Sequence, residues 1–495
     1  MRFRRWNRRH GALAVAVLAA AAVAAPGLPA ASAAKAPGPV LKMAAAQNSI
    51  KVPSFRGRAF IDPGIWLEAF GTPLEFDVQR AAYTKPVTIT QIIHPPYGGV
   101  IRRQLPPSLL DNWAGLAHFA TMTLRNSAGT VIQTQSVAFC PNSYNAARAR
   151  PGSPATSPYP TQCGFNPFTL AQVWGVQRGW GVEPSGFINA KIPLGVYHVT
   201  ETMSPAYAHL FGVSARDATA TVKVTVVKGQ CCPIPGCCGA ASRRPAHPAG
   251  LPQNPSGVPT LNNPPPAALP DLVALPAWGI RVPHPRKPTG TDLLTFGATV
   301  WIGGNSPLDV EGFRSNGSPV MKAYQYFWRN GHVIGRVRAG TMGFDSEHGH
   351  NHWHFEQFAR YTLLNSHKSL VVSSHKVGFC IAPVDGINLL LPHAVWNPSF
   401  TGFNGECGSP SALWVTEELP IGWGDTYEQS VAGQAFDITH VPNGTYYIKV
   451  TANPEKVLYE TTTSNDISYR KVILGGTPGH RTVKVPAWHG IDPEP

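Results

Sequence analysis

Thr219-Ala-Thr-Val-Lys-Val-Thr-Val-Val227 and Tyr446-Tyr-Ile-Lys-Val-Thr451 are short runs of β-branched and aromatic residues, the composition of strands. Similar runs of Val, Thr, Ile, Tyr and Phe recur along the 495 residues, separated by turn-forming glycines (48) and prolines (49). Short strands with regular turn signals argue an all-β protein of sandwich-like domains. Long helical periods of apolar residues are absent.

Three stretches depart from this pattern. Residues 1–10 carry five arginines and no acid, 11–25 are almost all Ala, Val and Leu, and Ala31-Ser32-Ala33 fits a cleavage site. Residues 1–33 therefore read as a secretory signal peptide, with Arg8-Arg9 leaving twin-arginine export open. The apolar run is short for a membrane span, and no later stretch is apolar enough for one. Residues 229–268 are dominated by Gly, Pro and Ala and end near Pro264-Pro265-Pro266, the composition of an extended linker. Cys231, Cys232, Cys237 and Cys238 open it and read as local disulfides of an exported chain rather than a metal cage. The expected order is signal peptide 1–33, tether 34–50, β domain 51–228, linker 229–268, β domain 269–476 and tail 477–495.

Formal net charge is +14, and loss of the five leader arginines leaves +9. The basic residues are scattered, with no basic helix, zinc finger or aromatic-basic repeat, so nucleic acid is excluded as a partner. Contact with an anionic cell wall is compatible with that charge.

The two domains repeat one order of features. His354-Phe-Glu-Gln-Phe-Ala-Arg-Tyr-Thr-Leu-Leu-Asn365 leads to Phe379-Cys380, then Cys407, Gly422-Trp423-Gly424 and Asn443-Gly-Thr-Tyr446. Ala117-His-Phe-Ala-Thr-Met-Thr-Leu-Arg-Asn126 leads to Phe139-Cys140, then Cys163, Gly179-Trp180-Gly181 and Leu194-Gly-Val-Tyr197. A tandem duplication accounts for the shared order.

His348, His350, His352 and His354 alternate with Gly349, Asn351 and Trp353. On a strand such residues share one face, and neutral imidazoles suit copper, zinc, iron or nickel. The alternative, a surface His tract, fits poorly with the aromatic residues Trp353, Phe355, Phe358 and Tyr361 that accompany it.

With Phe358 and Tyr361-Thr-Leu-Leu364, this segment resembles the copper motif of the lysyl oxidase family. Four further stretches resemble that family in order: Leu269-Pro-Asp-Leu-Val273, His375-Lys-Val-Gly-Phe-Cys380, Asp425-Thr-Tyr427, and Ala435-Phe-Asp-Ile-Thr439 with the strands after it. The similarity covers roughly 269–472 and suits a microbial relative, in which Cys380–Cys407 is the one disulfide this domain can form. It implies copper on His350, His352 and His354, with His348 outside the first shell. It also implies a lysine tyrosylquinone cofactor built from Lys376 and Tyr427. An amine must be unprotonated to attack a quinone, so Lys376 is expected to be buried. Separately, each of the two has a plainer reading, a solvated strand lysine and a core tyrosine.

The implied reaction is oxidative deamination of peptidyl lysine or another primary amine to an aldehyde. Dioxygen is consumed, and ammonia and hydrogen peroxide are released. Asp425 is the candidate general base, or else a turn residue capping backbone amides. A calcium site is implied at Asp271, the Leu272 carbonyl, Glu460, Asn465 and Asp466. There Thr462 replaces a family carboxylate, and Asp466 stands where an amide is usual. Composition leaves cell-wall peptides and small amines as plausible as any other lysine-bearing partner.

Laying the halves together puts Asp111, Trp113 and Gly115 opposite His350, His352 and His354. Ser136 falls opposite Lys376, and Glu183 and Pro184 near Tyr427. Residues 51–228 are thus expected to be a degenerate, metal-free copy that binds substrate, packs on the active domain or holds the cell wall. Two readings compete with an enzyme: a secreted copper-binding protein without the quinone, and an adhesive cell-surface protein whose metal is incidental.

Overall fold

The computed structural model describes residues 38–494 except 185, 230–256, 284–289, 316, 347–350, 377 and 401–406. The expected signal peptide and Cys231, Cys232, Cys237 and Cys238 lie outside the described residues. Both opening stretches are strands, Thr219–Lys228 and Gly444–Ala452. Val222, Val224 and Val226 in the first, and Tyr446, Ile448 and Val450 in the second, point into cores while their neighbours face outward. The protein is all-β, with half of its residues in strands and 4% in helix. No described helix is long and apolar enough to cross a membrane.

Each half contains three sheets, and their strand orders correspond. In the second half, Leu272–Ala274, Leu293–Ile302, Trp423–Tyr427 and Asp385–Gly386 lie side by side in that order. The first half has Val40–Ala45, Ile65–Phe70, Trp180–Val182 and Ala147–Arg148. A second sheet runs Trp414–Leu419, Leu308–Phe313, Val320–Arg329, His332–Asp345 and His352–Phe355. Its counterpart runs Ala171–Val176, Leu74–Gln79, Thr88–Ile93 and Ile101–Leu105, and stops there. The histidine strand is what the second half adds. The third sheet of the second half runs Leu370–Ser373, Ala359–Asn365, Gly444–Ala452, Ile467–Thr477 and His480–Lys484. Its first four strands match Val131–Phe139, Leu116–Asn126, Gly195–Met203 and Thr219–Lys228 of a seven-stranded sheet.

Several boundaries differ from expectation. The tether ends at Val40, because Val40–Ala45 pairs with Ile65–Phe70 and buries Leu41 and Met43. The linker's last part is packed: Leu261 lies against Gly335, and Ala268 shares a small core with Phe327 and Val337. Beyond residue 476 the chain continues as the strand His480–Lys484, and the Glu494 carboxylate accepts from fully buried Arg470.

The halves also share a core instead of hanging separately on a linker. Tyr159 and Val173 belong to the main apolar cluster of the second half. Phe168 packs with Leu275, Trp301 and Ile387, and Trp488 closes on Tyr83 and Phe168 at ring distances of 4.9 and 5.2 Å. Tyr159 and Phe168 lie in the loop before the strand Ala171–Val176 and Val173 lies in that strand, and burying them against the other half removes them from water.

Candidate active site

The histidine strand is described from Asn351 onward. Regular strand structure begins at His352, since Asn351 adopts a left-handed backbone with φ 48°. Asn tolerates that region at low cost. The described part of the expected strand is thus His352–Phe355, entered from a left-handed Asn351. His348 and His350 lie outside the described residues, so two expected ligands can be placed. The rings of His352 and His354 are edge to face with centroids 4.7 Å apart. His354 is buried, and its Nδ1 lies 3.5 Å from Asp345 Oδ2, on the neighbouring strand opposite His352. A carboxylate on one imidazole nitrogen is the usual device for orienting a metal-binding histidine. Among the described residues, no three His, Cys, Asp or Glu side chains stand together at metal-binding spacing.

The lysine segment is tied to this strand. Phe355 and Phe379 exchange backbone hydrogen bonds of 2.8 and 3.1 Å. Gly378 lies under the imidazole, where a Cβ would come within 2.8 Å of His354 Cβ, so a larger residue would push the histidine out. Lys376 is 5% exposed, as expected for an amine that must lose its proton. Its Nζ stands 4.3 Å from the ring centroid of Tyr427. Phe379 packs edge-on against the same ring with centroids 5.2 Å apart.

Tyr427 ends the strand Trp423–Tyr427, on the same face as Asp425. Its hydroxyl accepts the Cys380 N–H at 2.8 Å and donates to the Cys380 carbonyl at 3.2 Å. Cys380 is joined to Cys407, whose carbonyl accepts the Trp353 N–H at 2.8 Å. One disulfide thus spans the phenol and the histidine strand, the one pairing that the two cysteines of this domain can form. In the other half Cys140 pairs with Cys163.

Burial pushes the Tyr427 phenol well above its ordinary range, and nearby Asp425, Glu417 and Tyr361 reinforce that. Asp425 is buried in mid-strand, not in a turn, and its carboxylate accepts the backbone N–H of Ala382. Burial raises its carboxyl well above the usual range, while the Lys376 charge and the Ala382 N–H pull it back. Glu417 is a further member of this group that motif reading missed. It is fully buried, accepts the Ile381 N–H at 3.1 Å and has its second oxygen unpartnered. The signal was present: in Trp414-Val-Thr-Glu-Glu-Leu419 a carboxylate shares the inward parity of Val415 and Leu419. Asp345 was missed as well, and nothing local marks it.

The expected calcium residues also meet. Asn465 Nδ2 donates to Asp271 Oδ2 at 2.9 Å, and Glu460 accepts the Leu272 N–H at 3.2 Å. Asp271 Oδ1, Asn465 Oδ1 and Asp466 Oδ1 are buried without hydrogen-bond partners. Burial, together with neighbouring carboxylates, raises Glu460 to about 7 and Asp466 to about 6.

Residues 404–480 match the lysyl oxidase family. That match takes in Asp425, Tyr427, Glu460, Asn465 and Asp466, and begins after the histidines and Lys376. Curated relatives include lysyl oxidase homolog 4 of Mus musculus, 29% identical over 133 residues, and lysyl oxidase homolog 2 of Homo sapiens, 29% identical over 139. These matches cover 27% and 28% of this chain and 16% of each relative's length. The C-terminal part of the chain is lysyl oxidase-like, and the rest of the second half surrounds that part with the Lys376–Tyr427 contact.

At one of the corresponding places in the first half, a side chain is excluded for a steric reason. Gly115, opposite His354, has φ 137°, and a Cβ there would run into the Phe139 carbonyl. No histidine fits without moving the strand.

Proposed function

We propose that the second half is a secreted or cell-surface copper amine oxidase acting on peptidyl lysine or another primary amine, with a cofactor formed from Lys376 and Tyr427. The observation that carries this reading is the buried Lys376 side chain with its amine over the Tyr427 ring. Two neighbouring imidazoles, one oriented by a carboxylate, are a donor set that suits copper; His352 and His354 would hold it, with His350 as third ligand. When bound, copper with dioxygen supplies the oxidation that turns the Tyr427 ring into a quinone bonded to the Lys376 nitrogen, and that quinone is the electron sink for the amine. The net reaction converts an amine R-CH2-NH2, dioxygen and water to the aldehyde, ammonia and hydrogen peroxide.

The chain's own residues do the rest. Cys380 fixes the phenol oxygen through both of its backbone groups. Phe379 walls the ring and keeps water from one side. Asp425 takes the substrate's α-proton; burial raises its carboxyl and makes the ionised form a stronger base than an exposed carboxylate. The first half is a metal-free copy that supports this site.

Protease digestion of copper-loaded, aerated protein tests the proposal. Mass spectrometry should find the Lys376 and Tyr427 peptides joined. Finding both free and unmodified would leave a copper-binding protein without catalysis.

The unpartnered oxygens of Asp271, Asn465 and Asp466 suit a hard cation, and calcium is proposed there. Without it, Glu460 and Asp466 have folded pKa values above their unfolded ones, so the native state binds the extra protons. Their contribution to stability is present at low pH and lost as pH rises from the ordinary carboxylate range through about 7. Saturating calcium should therefore raise the melting temperature by several degrees at pH 7.5, and by much less at pH 5. Calorimetry with and without a chelator reads this directly. A calcium effect that survives Asp466→Asn together with Asp271→Asn would remove the site.

A further inference from the structure

The strand bearing Tyr427 has two faces. Asp425 and Tyr427 look toward Lys376, and Thr426 looks the other way, into a buried polar group that the reaction does not use. Thr426 Oγ1 donates to Asp385 Oδ2 at 2.5 Å and lies 2.8 Å from Thr299 Oγ1. The fourth member comes from the first half. Asn166 Nδ2 donates to Thr299 Oγ1 at 2.8 Å and lies 3.4 Å from Asp385 Oδ2. Its own carbonyl oxygen accepts the Phe168 N–H at 3.0 Å, which fixes the side chain's orientation. All four residues are buried, and Asn166 and Thr299 are wholly inaccessible. Polar groups withdrawn from water to this extent are costly unless each finds a partner. Each of the four side chains has at least one partner here, while Asp385 Oδ1 has none, so the network turns on the single oxygen Oδ2 that Thr426 and Asn166 both approach.

Backbone contacts close the same region. Leu170 and Ala171 N–H groups donate to the Ile387 carbonyl at 2.7 and 3.0 Å, and Leu389 N–H donates to Ala171. Residues Asp385 and Gly386 pair in turn with Gly424 and Trp423 of the tyrosine strand. A chain of hydrogen bonds thus runs from the first half, through Asp385, to the residue beside Tyr427.

We propose that Asn166 is a positioning residue of the active site: with Asp385, Thr299 and Thr426 it clamps the back of the tyrosine strand and so holds Tyr427 against Lys376. The silent copy then has a definite task, supplying the floor of its partner's site. The inference rests on the proposed pairing of Lys376 with Tyr427. The clamp itself can be read without copper.

The test uses the full chain. Asn166→Asp keeps size and the Phe168 bond but turns the donor on Asp385 into an acceptor. Amide hydrogen exchange of residues 423–427 should accelerate about ten-fold, the loss of one buried hydrogen bond, with strand 444–452 unchanged. After copper loading in air, the yield of joined Lys376–Tyr427 peptide should fall in parallel. Adding Asp385→Asn restores a donor–acceptor pair and should rescue both readouts. Asn397→Ala is the docking control, because it cuts cross-half bonds to Ser157 and Tyr159 without touching the clamp. Wild-type exchange in Asn166→Asp, or equal acceleration in Asn397→Ala, would overturn the proposal. Should Asn166→Asp not fold, isosteric Thr426→Val cuts the same network and must show the same acceleration. If wild-type protein never forms the joined peptide, the proposed cofactor fails, and the exchange data still decide the clamp.

Discussion

Lys376→Met should abolish amine oxidation while copper stays bound. The side chain is buried and its amine stands 4.3 Å from the Tyr427 ring centroid, so it is the group that the proposed cofactor requires. Methionine matches the length of the lysine stem and fills the space against Phe379 and Tyr427 without a charge. Peroxide release from a primary amine should fall to the uncatalysed level, a loss of about 10^6-fold or more. Quinone absorbance should vanish, and metal analysis should be unchanged, because the imidazoles are untouched. The reverse pattern is expected of His352→Ala combined with His354→Ala. That variant should lose copper from the whole chain, first half included, and with it the joined peptide. Stoichiometric copper remaining there would show that the first half binds metal after all.

Legibility of the fold followed from side-chain periodicity. Val222, Val224 and Val226 alternate with polar neighbours, and burying one face of a strand needs nothing else. Strand order is non-local, yet the recurrence of Phe-Cys, Gly-Trp-Gly and the Gly-x-Tyr turn in both halves anticipated sheets of matching order. Within the histidine segment, the left-handed backbone of Asn351 was not legible, because nothing in the sequence distinguishes it from a strand Asn.

Cross-chain contacts were beyond any local signal. Asp385 sits in an unremarkable Ala-Pro-Val-Asp-Gly stretch, and Asn166 in a Gly-Phe-Asn-Pro loop that reads as a turn. Their meeting depends on the two halves sharing a core, and a proline-rich connection between β domains suggests independence instead. Gly115 shows the opposite case. As a glycine opposite a histidine it could be named from sequence, and only the Phe139 carbonyl behind it explains why nothing larger stands there.

Asp425→Asn carries the other large expectation. The amide keeps an acceptor for the Ala382 N–H, so the strand should hold and Tyr427 should still meet Lys376. A proton-accepting carboxylate is gone, and amine turnover should fall by roughly 10^2- to 10^4-fold in kcat. The joined Lys376–Tyr427 peptide should form as before, which separates turnover from cofactor assembly. The pH profile supplies a second reading. Burial raises the Asp425 carboxyl, and the base works only when ionised, so wild-type activity should climb with pH along a limb above the ordinary carboxylate range. That limb should disappear in the variant. Stability should move in the opposite sense. A carboxyl whose folded pKa is raised costs more stability as pH rises through that value, so the variant's melting temperature should depend less on pH there. An Asn variant with unchanged kcat and an unchanged acid limb would assign proton removal to another group. Glu417, fully buried with one oxygen unpartnered and close enough to raise the Tyr427 phenol, is the carboxylate to replace next.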